Sequence, residues 1–213
     1  MNFFEYGDKE IQYLQSKDKA LGEVINLIGP IQREVIPDLF EALVHAIVGQ
    51  QIATKAQQTV WKRMKDGIGS ITPEAVTAMD DDALQAFGLS YRKVGYIKSA
   101  AQKILNGSFD MDALQHMSDQ EVCDSLVSLD GIGVWTAEML MIFSMERPNI
   151  LSYGDLAIQR GLRMLYHHRR ITPQLFKKYK NRYTPYATVA SLYLWAVAGG
   201  AVKGMKDYAP KKK

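Results

Sequence analysis

The sequence predicts an all-α protein, and three observations carry that expectation. Apolar residues recur at helical spacing in seven runs along the 213-residue chain. Alternation at period two, the mark of a half-buried strand, is absent. Helix-start signals punctuate the runs. Thr-Pro pairs at Thr72-Pro73, Thr172-Pro173 and Thr184-Pro185 read as an N-cap followed by proline at the first helical position. Ser118 and Glu121 form an S-x-x-E capping box, and Ser90 can cap a helix starting near Tyr91.

The apolar runs cover Leu39 to Val48, Ala53 to Met64, Val94 to Leu105, Val122 to Leu129, Val134 to Met145, Leu156 to Tyr166 and Ala187 to Val197. With the capped segments between them they make about ten helices joined by short loops. No internal repeat interrupts the pattern, and the one low-complexity stretch is the closing Lys211-Lys212-Lys213, which reads as a solvated end. The middle, about 53–147, reads as one helical block. The N-terminal helices, about 1–52, and the C-terminal ones, about 148–213, are expected to pack as a second lobe.

Composition narrows the function classes. Apolar residues make up 47% of the chain, which suits a globular core rather than disorder. The formal net charge of +3 permits an anionic partner without demanding one. The single cysteine, Cys123, excludes an intramolecular disulfide framework and a four-cysteine zinc or iron–sulfur site. The four histidines show no ligand spacing, so no transition metal is expected. There is no basic flank followed by an apolar run at the start, and no stretch nears the ~20 apolar residues of a membrane span. These features predict an intracellular, unsecreted protein with no membrane partner.

The stretch S-L-D-G-I-G-V-W-T-A, Ser128 to Ala137, is the most informative. A helix ends, Gly131 and Gly133 turn the chain, and a second helix begins near Val134. The glycines tolerate positive φ and leave backbone N–H groups uncovered at a helix N-terminus, where the dipole favours an anion. Ile132 between them plugs the turn into the core. Such a hairpin grips a phosphate through amides and reads no base sequence. Alone, two glycines so spaced more often make an ordinary interhelix turn.

Five stretches together supply context. L-D-G-I-G-V-W-T-A resembles the helix-hairpin-helix of the HhH-GPD superfamily of DNA glycosylases. In that family an aspartate follows the hairpin at the start of the next helix. Here S-Y-G-D-L-A-I-Q-R-G-L places Asp155 twenty residues after Trp135. Phe40 to Ala53 resembles the family's segment before the DNA-inserting loop, and Phe87 to Ile97 its next block. T-P-Y-A-T-V-A-S-L-Y-L-W, Thr184 to Trp195, resembles the C-terminal helix of the alkylation-repair branch, nearest the DNA-3-methyladenine glycosylase II type. The resemblance spans roughly Asp38 to Ala198 and implies two helical lobes flanking a cleft.

The resemblance also implies roles. Lyase-competent members carry a lysine nucleophile two residues after the second glycine; here that place is Trp135, which cannot form a Schiff base. A monofunctional glycosylase that leaves an abasic site follows. Asp155 would stabilise the oxocarbenium-like sugar or orient the attacking water, and it also has the residue type of an N-cap. The target base must leave the stack. Trp135 and Tyr186 are the candidate pocket aromatics for a cationic alkylated purine such as 3-methyladenine. Tyr186 stands where relatives place a tryptophan, and Leu156 stands where many place an aromatic. Trp61, Tyr193 and Trp195 sit at helical spacing and read as core.

Gly131, Gly133, Val134 and Thr136 are the expected phosphate-binding residues, and Gln50 and Gln51 the DNA-inserting turn. Tyr91, Arg92 and Lys93 read as a solvated face. The family's monovalent cation, Na+ or K+, would sit on the main-chain carbonyls of Val127, Leu129 and Ile132; no cofactor is otherwise required. The expected partner is double-stranded DNA with a damaged base, bound by a monomer. The rival readings are a glycosylase for oxidised, deaminated or mismatched bases, and a non-catalytic helix-hairpin-helix DNA-binding protein.

Overall fold

The computed structural model describes residues 2–210, so the Lys211–Lys213 tail lies outside the described residues. In chain order the elements are β1 (Asn2–Phe3), α1 (Asp8–Lys17), α2 (Lys19–Ile28) and β2 (Glu34–Val35), then α3 (Leu39–Gly49), α4 (Thr54–Ile68), α5 (Pro73–Ala78), α6 (Asp81–Ala86) and α7 (Tyr91–Leu105). A 3-10 turn at Ala113–His116 leads to α8 (Asp119–Val127) and α9 (Val134–Phe143). The chain ends in α10 (Leu156–Tyr166), α11 (Pro173–Tyr183) and α12 (Ala187–Ala198). The all-α expectation holds. The short strands pair antiparallel, Asn2 opposite Val35 and Phe3 opposite Glu34, and tie the first residues to the end of the N-terminal segment.

The caps explain the helix starts. Thr72, Thr172 and Ser90 each accept a hydrogen bond from the amide three residues on. The Ser118–Glu121 box is closed in both directions. The third Thr-Pro pair departs from expectation. The Thr184-Pro185 bond is cis, and Thr184 closes α11, donating both its N–H and its Oγ1 to the Lys180 carbonyl. With Thr184 committed to the preceding helix, α12 starts later, after Tyr186.

The chain divides into two compact units, one formed by Met1–Val35 with Glu146–Lys213 and the other by Ile36–Met145. This corrects the expected boundary near residue 52. α3 buries Phe40, Ala42, Leu43, Val44, Ile47 and Val48, and its neighbours are α4, α7 and α9. A helix apolar on nearly every side must be internal, and α3 is internal to the central unit.

In the other unit the central helix is α12. Ala187 to Leu194 are buried without a break. Its buried Thr188 and Ser191 hydroxyls are satisfied by the chain that approaches Asp155. Thr188 Oγ1 donates to the Arg147 carbonyl and accepts from the Ile150 amide, and Ser191 Oγ donates to the Ile150 carbonyl. A buried polar group left unpaired costs ~1–3 kcal/mol, so these bonds fix the path of residues 147–150 against α12. α10 packs on the same helix so closely that Gly161 lies against the Leu194 backbone.

Candidate DNA-contacting hairpin and catalytic carboxylate

The hairpin is built as the glycines suggest. α8 ends at Val127, Leu129 is buried, Gly131 takes φ +80°, and Ile132 points into the core at 5% exposure. Gly133 is the N-cap of α9 and brings no side chain over the first-turn amides. Val134 and Trp135, the first two residues of α9, stand 57% and 50% exposed. Thr136, in the first turn of α9, is buried at 8% exposure, so its backbone amide rather than its hydroxyl is the group placed for a phosphate.

α7 braces the hairpin through a stripe that sequence reasoning missed. The Tyr96 ring lies so close to Gly131 that an added Cβ would sit 2.7 Å from Cε2. Ser99 Oγ donates to Asp130 Oδ2 at 2.6 Å, and Lys103 Nζ stands 3.8 Å from the same carboxylate and 3.4 Å from the Ser128 carbonyl. Gly131 is therefore required twice, by its positive φ and by the approaching ring. The signal available in sequence was the spacing of Tyr96, Ser99 and Lys103, which shares one helical face.

The turn after α3 is tied to this hairpin. Gln50 Nε2 donates to the Gly131 carbonyl at 2.8 Å. Its Nε2 is thus engaged inside the protein and ties the turn to the hairpin. Gln51, at φ +57°, and Ile52, 40% exposed, form the tip. The reading of Lys93 is corrected. It faces inward and donates to the carbonyls of Val48 and Gln50, both at 2.8 Å. The burial this requires, with Arg92 nearby, lowers its pKa below the usual lysine value. A cation on the last carbonyls of a helix also complements the dipole. Lys93→Met is expected to cost about 2 kcal/mol, a fall in melting temperature of roughly 4–8 °C. An unchanged thermal melt would show that these two bonds contribute nothing.

The carboxylate belongs to the other unit. Asp155 is the N-cap of α10, and its Oδ1 accepts from the amides of Ala157 at 2.8 Å and Ile158 at 2.9 Å. It is 7% exposed. Gln159 Nε2 donates to the Tyr153 carbonyl at 2.7 Å, which holds the turn before the cap. Leu156, beside Asp155, is 79% exposed, an apolar side chain that the fold leaves uncovered. Tyr186, in the same unit, stands at the start of α12. The edge-on ring of Tyr13 lies 5.2 Å away and Lys9 Nζ 6.0 Å over its face. Tyr193 is fully buried and Trp61 packs edge-on against His45, while Trp195 is half-buried.

Main-chain oxygens of Val127, Leu129 and Ile132 lie where the chain leaves α8 and turns, and the Leu129 carbonyl accepts the Ile132 amide at 3.1 Å. Among the described residues no group of three or more His, Cys, Asp or Glu could hold a metal, and no helix is long and apolar enough to cross a membrane.

Residues 44–185 match the model of the HhH-GPD superfamily base excision DNA repair proteins, and the chain belongs to that family. In particular, it is 30% identical over 208 residues to DNA-3-methyladenine glycosylase 1 of Schizosaccharomyces pombe, covering 94% of this chain and 91% of that one. The crystal structure of a DNA-3-methyladenine glycosidase from Bacillus halodurans superposes with a TM-score of 0.86 at 33% identity, over 98% of this chain and 97% of that one. A Schizosaccharomyces pombe 3-methyladenine DNA glycosylase in complex with abasic DNA gives 0.77 at 28% identity, over 93% and 100%.

Proposed function

We propose that this protein is a monofunctional DNA glycosylase that excises alkylated purines of the 3-methyladenine type and leaves an abasic site. The observation that carries the reading is Asp155, a buried carboxylate fixed at a helix start by two amides, at its motif distance from an amide-presenting hairpin. Relatives along almost the whole chain bear the same activity in their names.

The chemistry follows from the residue types. The hairpin amides from Gly131 to Val134 hold a backbone phosphate without reading sequence. The turn tip at Gln51 and Ile52 fills the space the extruded nucleotide vacates. Trp135 offers a π face to a cationic base. The glycosidic C1′–N bond breaks with its electron pair going to the base, which leaves neutral if it was cationic. Asp155 opposes the positive charge that grows on the sugar, and water adds at C1′ with loss of a proton. No amine stands at position 135, so no Schiff base forms and the strand stays intact. Three hard oxygen donors, the carbonyls of Val127, Leu129 and Ile132, would hold a Na+ or K+ ion, whose positive charge would favour an anion at the hairpin. A monomer carries all these groups.

Methylated duplex DNA tests the reading. Free 3-methyladenine is expected, with strand cleavage only after alkali treatment of the abasic product. Binding of duplex without release of any base, from methylated DNA or from duplexes carrying hypoxanthine, uracil or oxidised guanine, would overturn it in favour of a non-catalytic binder.

A further inference from the structure

The charge of the chain is unevenly divided. The unit that carries the hairpin, Ile36–Met145, holds 8 basic and 14 acidic residues, a net charge of −6. The other unit, Met1–Val35 with Glu146–Lys213, holds 18 basic and 9 acidic residues, a net charge of +9. The imbalance is sharpest from residue 146 onward, where 14 basic residues face Glu146, Asp155 and Asp207 alone. Of those three acids, Asp155 is the buried cap, and Asp207 is held by Arg163 at 2.6 Å. The hairpin thus grips phosphate with neutral amides on a unit whose net field repels a polyanion. Attraction must come from elsewhere, because phosphate neutralisation dominates the affinity of proteins for DNA.

The densest group of basic residues lies on α11 and the loop before it, beside scattered exposed ones at Arg160, Lys203 and Lys206. Arg169 and Arg170 are exposed in that loop. On α11 the solvent face is Gln174, Lys177, Lys178 and Asn181, at helical spacing. The stripe contains hydrogen-bond donors and no acid. Among the described residues none of Arg169, Arg170, Lys177 and Lys178 forms an ion pair, unlike Arg182 on the same helix, which is held by buried Asp18. Lys178 lies near enough to the loop for its charge to help depress the pKa of His168, after burial, the larger cause. The inward face, Phe176, Tyr179 and Tyr183, is buried, so the helix is anchored and its charged face preorganised.

We propose that Arg169, Arg170, Lys177 and Lys178 form a second surface for the DNA backbone, separate from the hairpin, that supplies most of the salt-dependent attraction to duplex. The inference rests on the glycosylase reading only in taking duplex DNA as the partner. It acts on affinity, not on the bond-breaking step.

The test is the slope of log affinity against log salt for undamaged duplex. Such a duplex keeps the answer independent of the lesion. Neutralising all four, R169Q/R170Q/K177Q/K178Q, is expected to reduce the slope by about 1 for each phosphate left without its cation, up to about 4. Base release under single-turnover conditions at saturating enzyme is expected to stay unchanged. The charge-keeping variant R169K/R170K/K177R/K178R is expected to retain the wild-type slope, which separates charge from folding. Lys62→Gln in the central unit, an exposed lysine paired with Asp66, serves as the control and should leave the slope unmoved. A quadruple glutamine variant with the wild-type slope and affinity would overturn the proposal, whether or not the protein releases methylated bases.

Discussion

Replacing Asp155 with Asn is expected to lower single-turnover base release at least ~100-fold, a loss of about 2.7 kcal/mol of transition-state stabilisation. The fold should be untouched. Asp155 Oδ1 accepts two amides at the start of α10, and the Asn oxygen can do the same, since Asn and Asp rank together as N-caps. What Asn cannot do is oppose the charge that develops at C1′. The pair of variants separates the two roles. Asp155→Asn should melt within about 2 °C of wild type, whereas Asp155→Ala also loses the cap, worth about 1 kcal/mol, and should melt roughly 2–4 °C lower. A neutral leaving group such as hypoxanthine departs less readily than a cationic alkylated purine and leans harder on the carboxylate. The defect should therefore be larger on that substrate wherever wild type accepts it. If Asp155→Asn releases base at the wild-type rate, Asp155 is only a helix cap.

How much of this could be read in advance depends on the range of the interaction concerned. The caps at Thr72, Ser90, Ser118 and Asp155 were legible because a cap joins residues two or three apart, and its chemistry is written in adjacent letters. Gly131 and Ile132 were legible for the same reason. Lys93 and Gln50 were not. Both are polar residues near a turn, which suggests solvent, yet they reach carbonyls 45, 43 and 81 positions away along the chain. Nothing local announces those partners. The burial of Thr136 was hidden by the same limit, since position in a motif does not say which face of a helix is covered. The unit boundary turned on whether α3 packs forward or back, a question its uniformly apolar sequence leaves open. The charge division needed the boundary first: a net +3 hides −6 and +9 until the units are known.

The largest expected stability loss lies beneath the carboxylate. In a helix interior Gly→Ala ordinarily stabilises by about 0.8–1 kcal/mol through propensity. At Gly161 that gain is overwhelmed. An added Cβ would overlap the Leu194 carbonyl oxygen and lie 3.1 Å from the Leu194 Cα. These are backbone atoms in the middle of α12, which no rotamer change can clear. α10 and α12 would have to separate, loosening the packing of α10, whose Ile158, Leu162 and Leu165 are buried, on α12. A net cost of about 2–3 kcal/mol is expected, or roughly 5–10 °C in melting temperature. Gly95 supplies the contrast. It is exposed within α7, and nothing lies within 4 Å of its would-be Cβ, so Gly95→Ala should raise stability by up to about 1 kcal/mol. Because Asp155 begins α10, tilting that helix moves the carboxylate. Gly161→Ala should therefore lose base-release activity even below its lowered melting point, while Gly95→Ala keeps it. Equal melting temperatures for the two alanine variants would mean that α10 and α12 do not meet at Gly161 as closely as the backbone approach requires.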